Sequence, residues 1–399
     1  MPEIAEIARV VHFLRLHLVG KTIKHVEAID DASVFGKVGT TGAKVAAALT
    51  GKKVLSAGTQ GKYFWLILDQ PPHPVMHFGM TGWIHIKGDR TAYTNYYKRM
   101  KPEEMDLWPP KFWKFHLTTE GPSPAEVAFT DPRRFGRVRL VDCPGDKIRK
   151  HSPLVENGPD PVVDADVFTE AYLRGRMRSR HVPIKALLLD QTVLSGVGNW
   201  VADEVLYHAR LHPEQYCDEL GDEKIGKLYE SIRYVCQFAV DQLGDSDRFP
   251  PDWLFHYRWG KGQKGAVGHL PSGEKLAFLT VGGRTSCYVP SLQKKSGHIA
   301  PGVKEEPVES APEETKKPNK AAKPKVPKAE PRDDQKPKRN IKVEEDVDEP
   351  PAKKRGGAQK KASVPAAADI PKPGKPAANG KVAESGQRRR SSRLRGNNS

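Results

Sequence analysis

The chain has 399 residues, enough for two or three domains, with 65 Lys and Arg against 49 Asp and Glu and a net charge of +16. No apolar run approaches the roughly eighteen residues that mark a membrane span. The opening Met1-Pro2-Glu3-Ile4-Ala5-Glu6 carries acids where a signal or transit peptide needs bases, so neither a membrane anchor nor a leader is expected.

Ile4, Ile7, Ala8, Val11, Leu14 and Leu18 recur at helical spacing, which predicts an amphipathic helix from about Glu3 to Leu18, ended by Gly20. Short β-prone runs follow at Thr22–Ile29, Val54–Ala57, Tyr63–Leu68, Val75–Phe78, Trp83–Ile86, Phe112–Thr118, Val127–Thr130 and Gly136–Val141, with a second small helix around Val45–Leu49. Many short strands punctuated by Gly and Pro predict a sandwich or a barrel. After Pro153 the pattern turns helical, at Asp166–Arg174, Ile184–Leu189, Trp200–Ala209 and Glu223–Leu243, and Tyr257–Pro290 reads as a β-hairpin. Cys143, Cys217, Cys236 and Cys287 are scattered without a C-x-x-C pair. That argues against a disulfide framework or a paired-cysteine zinc site and for buried free thiols in a reducing compartment. From Ser291 to Ser399 there is no aromatic residue and no Cys, and 27 Lys and Arg face 15 Asp and Glu, so this tail is expected to be disordered. The expected fold is α+β: an N-terminal β-sandwich domain flanked by helices (1–142), a helical domain (153–255), a hairpin (256–293) and a basic tail (294–399).

Six motifs bear on chemistry. Removal of Met1 would expose Pro2 as a secondary amine at a helix N-terminus, where the dipole disfavours its charged form while Glu3 favours it. Such an amine attacking a sugar C1′ yields an iminium, an electron sink that acidifies the C2′ proton and lets the 3′ phosphate leave. Glu3 and Glu6 are carboxylates placed for proton transfer beside it. Pro at the first helical position followed by acids is equally ordinary capping. In Gln60-Gly61-Lys62-Tyr63-Phe64 the lysine stands next to rigid backbone, as a phosphate contact, a proton shuttle or a solvated edge residue. His77-Phe78-Gly79-Met80-Thr81-Gly82 presents Met80 either as an apolar wedge for the gap left by an extruded base or as a core residue. Thr130-Asp131-Pro132-Arg133-Arg134-Phe135-Gly136 crowds two arginines and an aromatic into a turn, suited to an orphaned base and to insertion between stacked bases.

The fifth motif, Ile184-Lys185 through Leu194-Ser195-Gly196-Val197-Gly198-Asn199-Trp200, reads as helix, two tight turns, helix. Lys185, Asn199 and the backbone amides there suit a phosphate, and Glu204 is an internal carboxylate able to orient the site. Gly282-Gly283-Arg284 at a hairpin tip would offer Arg284 to another phosphate.

These motifs, in this order from Met1 to about Gln293, resemble the Fpg/Nei family, the formamidopyrimidine-DNA glycosylases. The resemblance implies that Pro2 is the Schiff-base nucleophile, Glu3 the acid that protonates the sugar ring, and Lys62 the lysine of β-elimination. It implies that Arg284 binds the lesion phosphate and assists δ-elimination, that Lys185 and Asn199 contact phosphates, and that Met80, Arg133 and Phe135 fill the void in the duplex. The implied activity is a bifunctional glycosylase and AP lyase acting on damaged double-stranded DNA as a monomer, with no cofactor and no metal.

Three features depart from bacterial members. Ala5 replaces their usual Pro. The finger, Tyr257–Pro290, holds only Cys287 in place of four zinc-binding cysteines, so Trp259, Leu276, Phe278 and Tyr288 are expected to pack it instead. The stretch Gly244–Phe255 is short for the loop that grips 8-oxoguanine, which favours formamidopyrimidines and further-oxidised guanines as substrates. Lys353-Lys354-Arg355 and Arg388-Arg389-Arg390, with Arg393 and Arg395, are candidate nuclear import signals or DNA-tethering patches, so a nuclear location is expected. The competing reading is a non-catalytic DNA-damage binder on the same fold.

Overall fold

The computed structural model describes residues 2–92, 104, 107–261 and 268–296. Met1 and everything beyond residue 296, including the basic clusters and the expected disorder of the tail, lie outside the described residues.

Helix α1 (Ile4–Leu18) buries Ile7, Val10, Val11, Leu14 and Leu18 along one stripe, as its 3.6-residue periodicity requires. Its neighbours are eight strands: β1 (Ile23–Ala28), β2 (Val54–Gln60), β3 (Tyr63–Leu68), β4 (His73–His77), β5 (Trp83–Ile86), β6 (Trp113–Thr119), β7 (Glu126–Thr130) and β8 (Arg137–Val141). They form two antiparallel sheets, ordered β1-β6-β7-β5 and β2-β3-β4-β8. In β6 burial alternates so that Phe115, Leu117 and Thr119 face inward, the period of a half-buried strand. Apolar residues of both sheets, of α1 and of α2 (Gly42–Leu49) share one core, the sandwich read from the sequence.

The second core belongs to α3 (Glu170–Arg178), α4 (Ile184–Leu189), α5 (Asn199–His208) and α6 (Asp222–Asp241). Helix α3 starts later than its periodicity suggests because the Thr169 hydroxyl accepts the Tyr172 amide and caps it there. Ile4 and Ala5, the first turn of α1, lie in this helical core, whereas Ile7 onward lies in the sandwich core. The front of the chain is therefore pinned where the two cores meet.

Strands β9 (Ala277–Val281) and β10 (Arg284–Tyr288) form the hairpin. Leu276, Cys287 and Val289 pack with Tyr207, Leu254 and Leu270, and Phe278 lies against them. Tyr288 is buried edge-on to His212. Trp259 does not join this packing: its ring is 53% exposed and lies under the Arg258 guanidinium at 4.4 Å. All four cysteines are buried free thiols. Among the described residues no helix is long and apolar enough to cross a membrane.

Candidate active site

Pro2 and Glu3 are buried at the junction of the two cores. The Ile4 amide donates to the Gly196 carbonyl at 3.1 Å, and the Glu3 carboxylate reaches the start of α5. There it accepts the backbone N–H groups of Gly198 (2.9 Å), Trp200 (3.0 Å) and Val201 (3.1 Å). These are the amides that a helix leaves without internal partners, at the end where its dipole favours an anion. The N-cap residue of α1 thus also caps α5, and the tight turn Ser195–Gly198 is fixed beside Pro2. Gln191 braces the same turn, accepting from the Gly196 amide at 3.0 Å and donating to the Val197 carbonyl at 2.9 Å.

Glu6 is fully buried, and its carboxylate accepts the Glu3 amide at 2.7 Å, which seats it against the Pro2–Glu3 peptide. Burial and the adjacent Glu3 charge raise its carboxyl to about 7. Lys62 occupies the two-residue turn between β2 and β3, where the Gly61 amide is held by Asp160 at 2.7 Å. Its ammonium donates to the Val197 carbonyl at 2.9 Å. Burial pushes its pKa down; Glu3 and Glu6 oppose the shift and Arg284 adds to it. Glu3, Glu6, Lys62 and Arg284 therefore act on one another's charge at a single place.

Asn199 opens α5 and donates from Nδ2 to the Thr285 carbonyl at 2.9 Å, while its Oδ1 is buried without a partner. This bond holds the hairpin beside the turn, with exposed Arg284 next to Thr285. Two expected phosphate-site residues are committed to internal partners. Lys185 is fully buried, and its ammonium is taken by the Asp203 carboxylate and by the Asn199 carbonyl at 2.9 Å, so it offers nothing to a solvent phosphate. Glu204 accepts the Leu254 amide (3.1 Å) and the Phe255 amide (2.7 Å), and so fixes the segment before the hairpin; it does not orient the turn at Asn199.

Met80, Arg133 and Phe135 come together. The turn at Gly79 lies so close to Phe135 that a Cβ on Gly79 would stand 2.4 Å from the Phe135 carbonyl carbon. Its φ of +62° also favours glycine. Asp131, fully buried, accepts the Thr81 hydroxyl (2.8 Å) and the Arg133 (3.2 Å) and Gly136 (2.6 Å) amides, tying the two turns into one tip. Arg133 lies over the Phe135 ring at 5.2 Å, and Phe135 is 45% exposed. Arg134 turns the other way, to Asp31 at 2.8 Å.

His77 connects this tip to the site. Its Nδ1 accepts the Gly79 amide at 2.9 Å, and burial together with Lys62, Arg137 and Arg139 lowers its pKa to about 4, so the ring is neutral. Gln191, His77 and Asp131 all lie inside motifs read from the sequence, but only their hydrogen bonds reveal what they do. The stretch Gly244–Phe255 is folded into short 3₁₀ turns, and its first residue lies against the Ala5 and Glu6 backbone.

Two family models match the chain: the formamidopyrimidine-DNA glycosylase N-terminal domain over residues 1–138 and the H2TH domain of the same glycosylases over residues 157–249. The formamidopyrimidine-DNA glycosylase of Arabidopsis thaliana is 40% identical over 303 residues, covering 75% of this chain and 73% of the relative. That of Pelotomaculum thermopropionicum is 30% identical over 313 residues, covering 74% and 99%. Among solved structures, the Lactococcus lactis enzyme bound non-covalently to DNA with an AP site matches with a TM-score of 0.58 at 25% identity, covering 73% of this chain and 100% of that one. MutM in complex with DNA carrying carbocyclic 8-oxo-G matches equally, with a TM-score of 0.58 at 25% identity, covering 74% and 100%.

Proposed function

The chain belongs to the formamidopyrimidine-DNA glycosylase family and is a DNA glycosylase of base excision repair acting on oxidised bases; from that premise we propose how it performs the reaction and on what. With Met1 removed, the nitrogen of Pro2 attacks C1′ of a flipped deoxyribose and the glycosidic bond breaks. Glu6, against the Pro2–Glu3 peptide, takes the proton from the amine and returns it to the departing base, and Glu3 protonates the ring oxygen as its bond to C1′ breaks. The iminium so formed loses its C2′ proton through Lys62, and the 3′ phosphate departs. Arg284 holds the lesion phosphate and assists the second elimination, which releases the 5′ phosphate.

One observation carries this reading: the Glu3 carboxylate caps α5 through three amides, so Pro2, Lys62 and the Asn199 turn share one locus. One N–H of Asn199 is committed to Thr285 and the other is free for a phosphate. Met80, Arg133 and Phe135 fill the void left by the flipped nucleotide. The folded-down stretch after α6 favours formamidopyrimidines and further-oxidised guanines over 8-oxoguanine. The basic clusters of the tail favour a nuclear location, which a reporter fused to residues 294–399 tests.

Borohydride should trap a covalent complex between the protein and oxidised duplex DNA, and an N-terminal extension should abolish it. A protein that shifts such DNA in a gel yet traps nothing is a damage binder, and an extended protein that still cleaves has its nucleophile elsewhere. A panel of defined lesions with analysis of the 3′ ends tests the substrate preference and the second elimination.

A further inference from the structure

Helix α5 presents Asn199 and Asp203 four residues apart, about 6 Å along its axis. Strand β10 runs beside that face. Its Thr285 carbonyl bonds Asn199 at 2.9 Å and its Cys287 amide bonds Asp203 at 3.1 Å. Two residues of strand span about 7 Å, so the two spacings match. The helix side chains occupy the edge of β10 that β9 leaves open, as a third strand would. A two-stranded hairpin is at best marginal alone, and this one has a single buried cysteine in its strands.

Asp203 is itself held. Arg258, from the segment before the hairpin, donates to its Oδ2 through Nε (3.1 Å) and Nη2 (2.5 Å), and Lys185 of α4 bonds its Oδ1. Lys185 also donates to the Asn199 carbonyl at 2.9 Å. The side chains of Lys185, Asp203 and Arg258 are between 0% and 5% exposed. Two buried cations converge on one carboxylate whose remaining task is to hold a strand amide.

We propose that Asp203 is a positioning residue for strand cleavage: by fixing the Cys287 amide it sets the register of β10, and with it the place where Arg284 meets the lesion phosphate. The inference rests on the role given to Arg284 above. Lys185, the basic residue that the motif offers to a phosphate, serves here as an internal counter-ion of this clamp.

The test uses the full chain with Asp203→Asn, Arg258→Gln and Arg284→Ala. In Asp203→Asn, amide exchange across Thr285–Tyr288 should quicken about tenfold while α6 stays protected. On duplex DNA with a preformed abasic site, the ratio of δ to β product should fall about tenfold, while borohydride trapping stays within about threefold. The double variant Asp203→Asn/Arg284→Ala should match Arg284→Ala alone, because both changes remove the same contact. Arg258→Gln leaves a neutral Lys185–Asp203 pair and should move each readout the same way by less, so it decides the matter if Asp203→Asn does not fold. Unchanged exchange at the hairpin, or a product ratio that Arg284→Ala lowers and the clamp variants do not, overturns the proposal. So does an additive double variant. If Arg284→Ala itself leaves the ratio unchanged, the elimination role of Arg284 fails, and the clamp stands or falls on the exchange data.

Discussion

Two exposed arginines of this molecule stand over buried aspartates, and the two aspartates differ in kind. Asp131 lies beneath Arg133 and Phe135 and accepts only neutral donors: the Thr81 hydroxyl and two amides within five residues of itself. Asp203 lies beneath the hairpin of Arg284 and accepts from two cations and an amide, at residues 185, 258 and 287. The first is a local turn device tied to one neighbouring turn. The second is the knot through which α4, α5, the segment before the hairpin and β10 are joined. A tip built on local bonds is autonomous; one built on distant charges inherits the stability of everything that supplies them.

Removing each aspartate is the sharpest way to break that comparison. Asp203→Ala leaves two buried cations without their counter-charge and should cost about 3–5 kcal/mol. Asp131→Ala strands three neutral donors, near solvent on the tip side, and should cost about 1–3 kcal/mol. Urea denaturation of both variants checks the order, and equal costs would remove the distinction between the two tips.

Glu6 sits where the two cores meet, and its effect depends on pH. Its carboxyl is raised in the folded protein to about 7 from an ordinary 4.5. The folded state therefore binds the proton more tightly than the unfolded chain. The associated stability is complete below pH 4.5 and is lost as pH rises through 7. Glu6→Gln should leave stability unchanged at pH 4 and raise it at pH 8, by on the order of 3 kcal/mol. If Glu6 takes the amine proton as proposed, the variant should also erase a rise in base release through pH 7. Melting curves at the two pH values decide the first point and a pH–rate profile the second; a gain that is the same at both pH values would show that the group is not titrating in the fold.

Smaller effects come from the glycines of the two tips. Gly79→Ala adds a Cβ 2.4 Å from Phe135 backbone at a positive φ, so strain and collision combine, and about 2–3 kcal/mol is expected. Gly282→Ala, also at positive φ, meets Ala186, its methyl at 3.3 Å, and about 1 kcal/mol is expected. Thermal melts of the pair rank the packing of the two tips, and the reverse order would mean that the hairpin tip is the more tightly held.

The same contrast explains what was legible in the sequence. The strands and helices announced themselves through the periodicity of their own side chains, wherever their partners lie, and the Thr130–Gly136 turn through its residues, because its bonds join near neighbours. The helix–two-turn–helix string also placed Asn199 at a helix start, where α5 begins. Nothing along the chain says that Glu3 will cap a helix starting at Asn199, or that Asp203 will gather Lys185, Arg258 and Cys287. Lys185 reads as a phosphate contact because a lysine in a motif looks solvent-facing until its partner, eighteen residues on, is known. Glu204 hides its role in the same way, since its amide partners at Leu254 and Phe255 come from another segment. Trp259 was assigned to the hairpin core by its hydrophobicity, although an indole face also suits a guanidinium, and that is where Arg258 lies.

The least change in stability should come from Phe135→Ala. The ring is 45% exposed and rests mainly under Arg133, so unfolding should shift by no more than about 0.5 kcal/mol. The functional effect separates the two tips. In the proposed mechanism Phe135 acts while a base is being drawn from the stack, a step already past when the substrate is a preformed abasic site. Phe135→Ala should therefore slow release of an oxidised base by about tenfold or more and leave strand cleavage at the abasic site nearly intact. Arg284→Ala should do the reverse if Arg284 holds the lesion phosphate during elimination, as proposed. Single-turnover rates on the two substrates give the answer: if Phe135→Ala slows both equally, the aromatic does more than hold the duplex open, and the division of labour between the tips is lost.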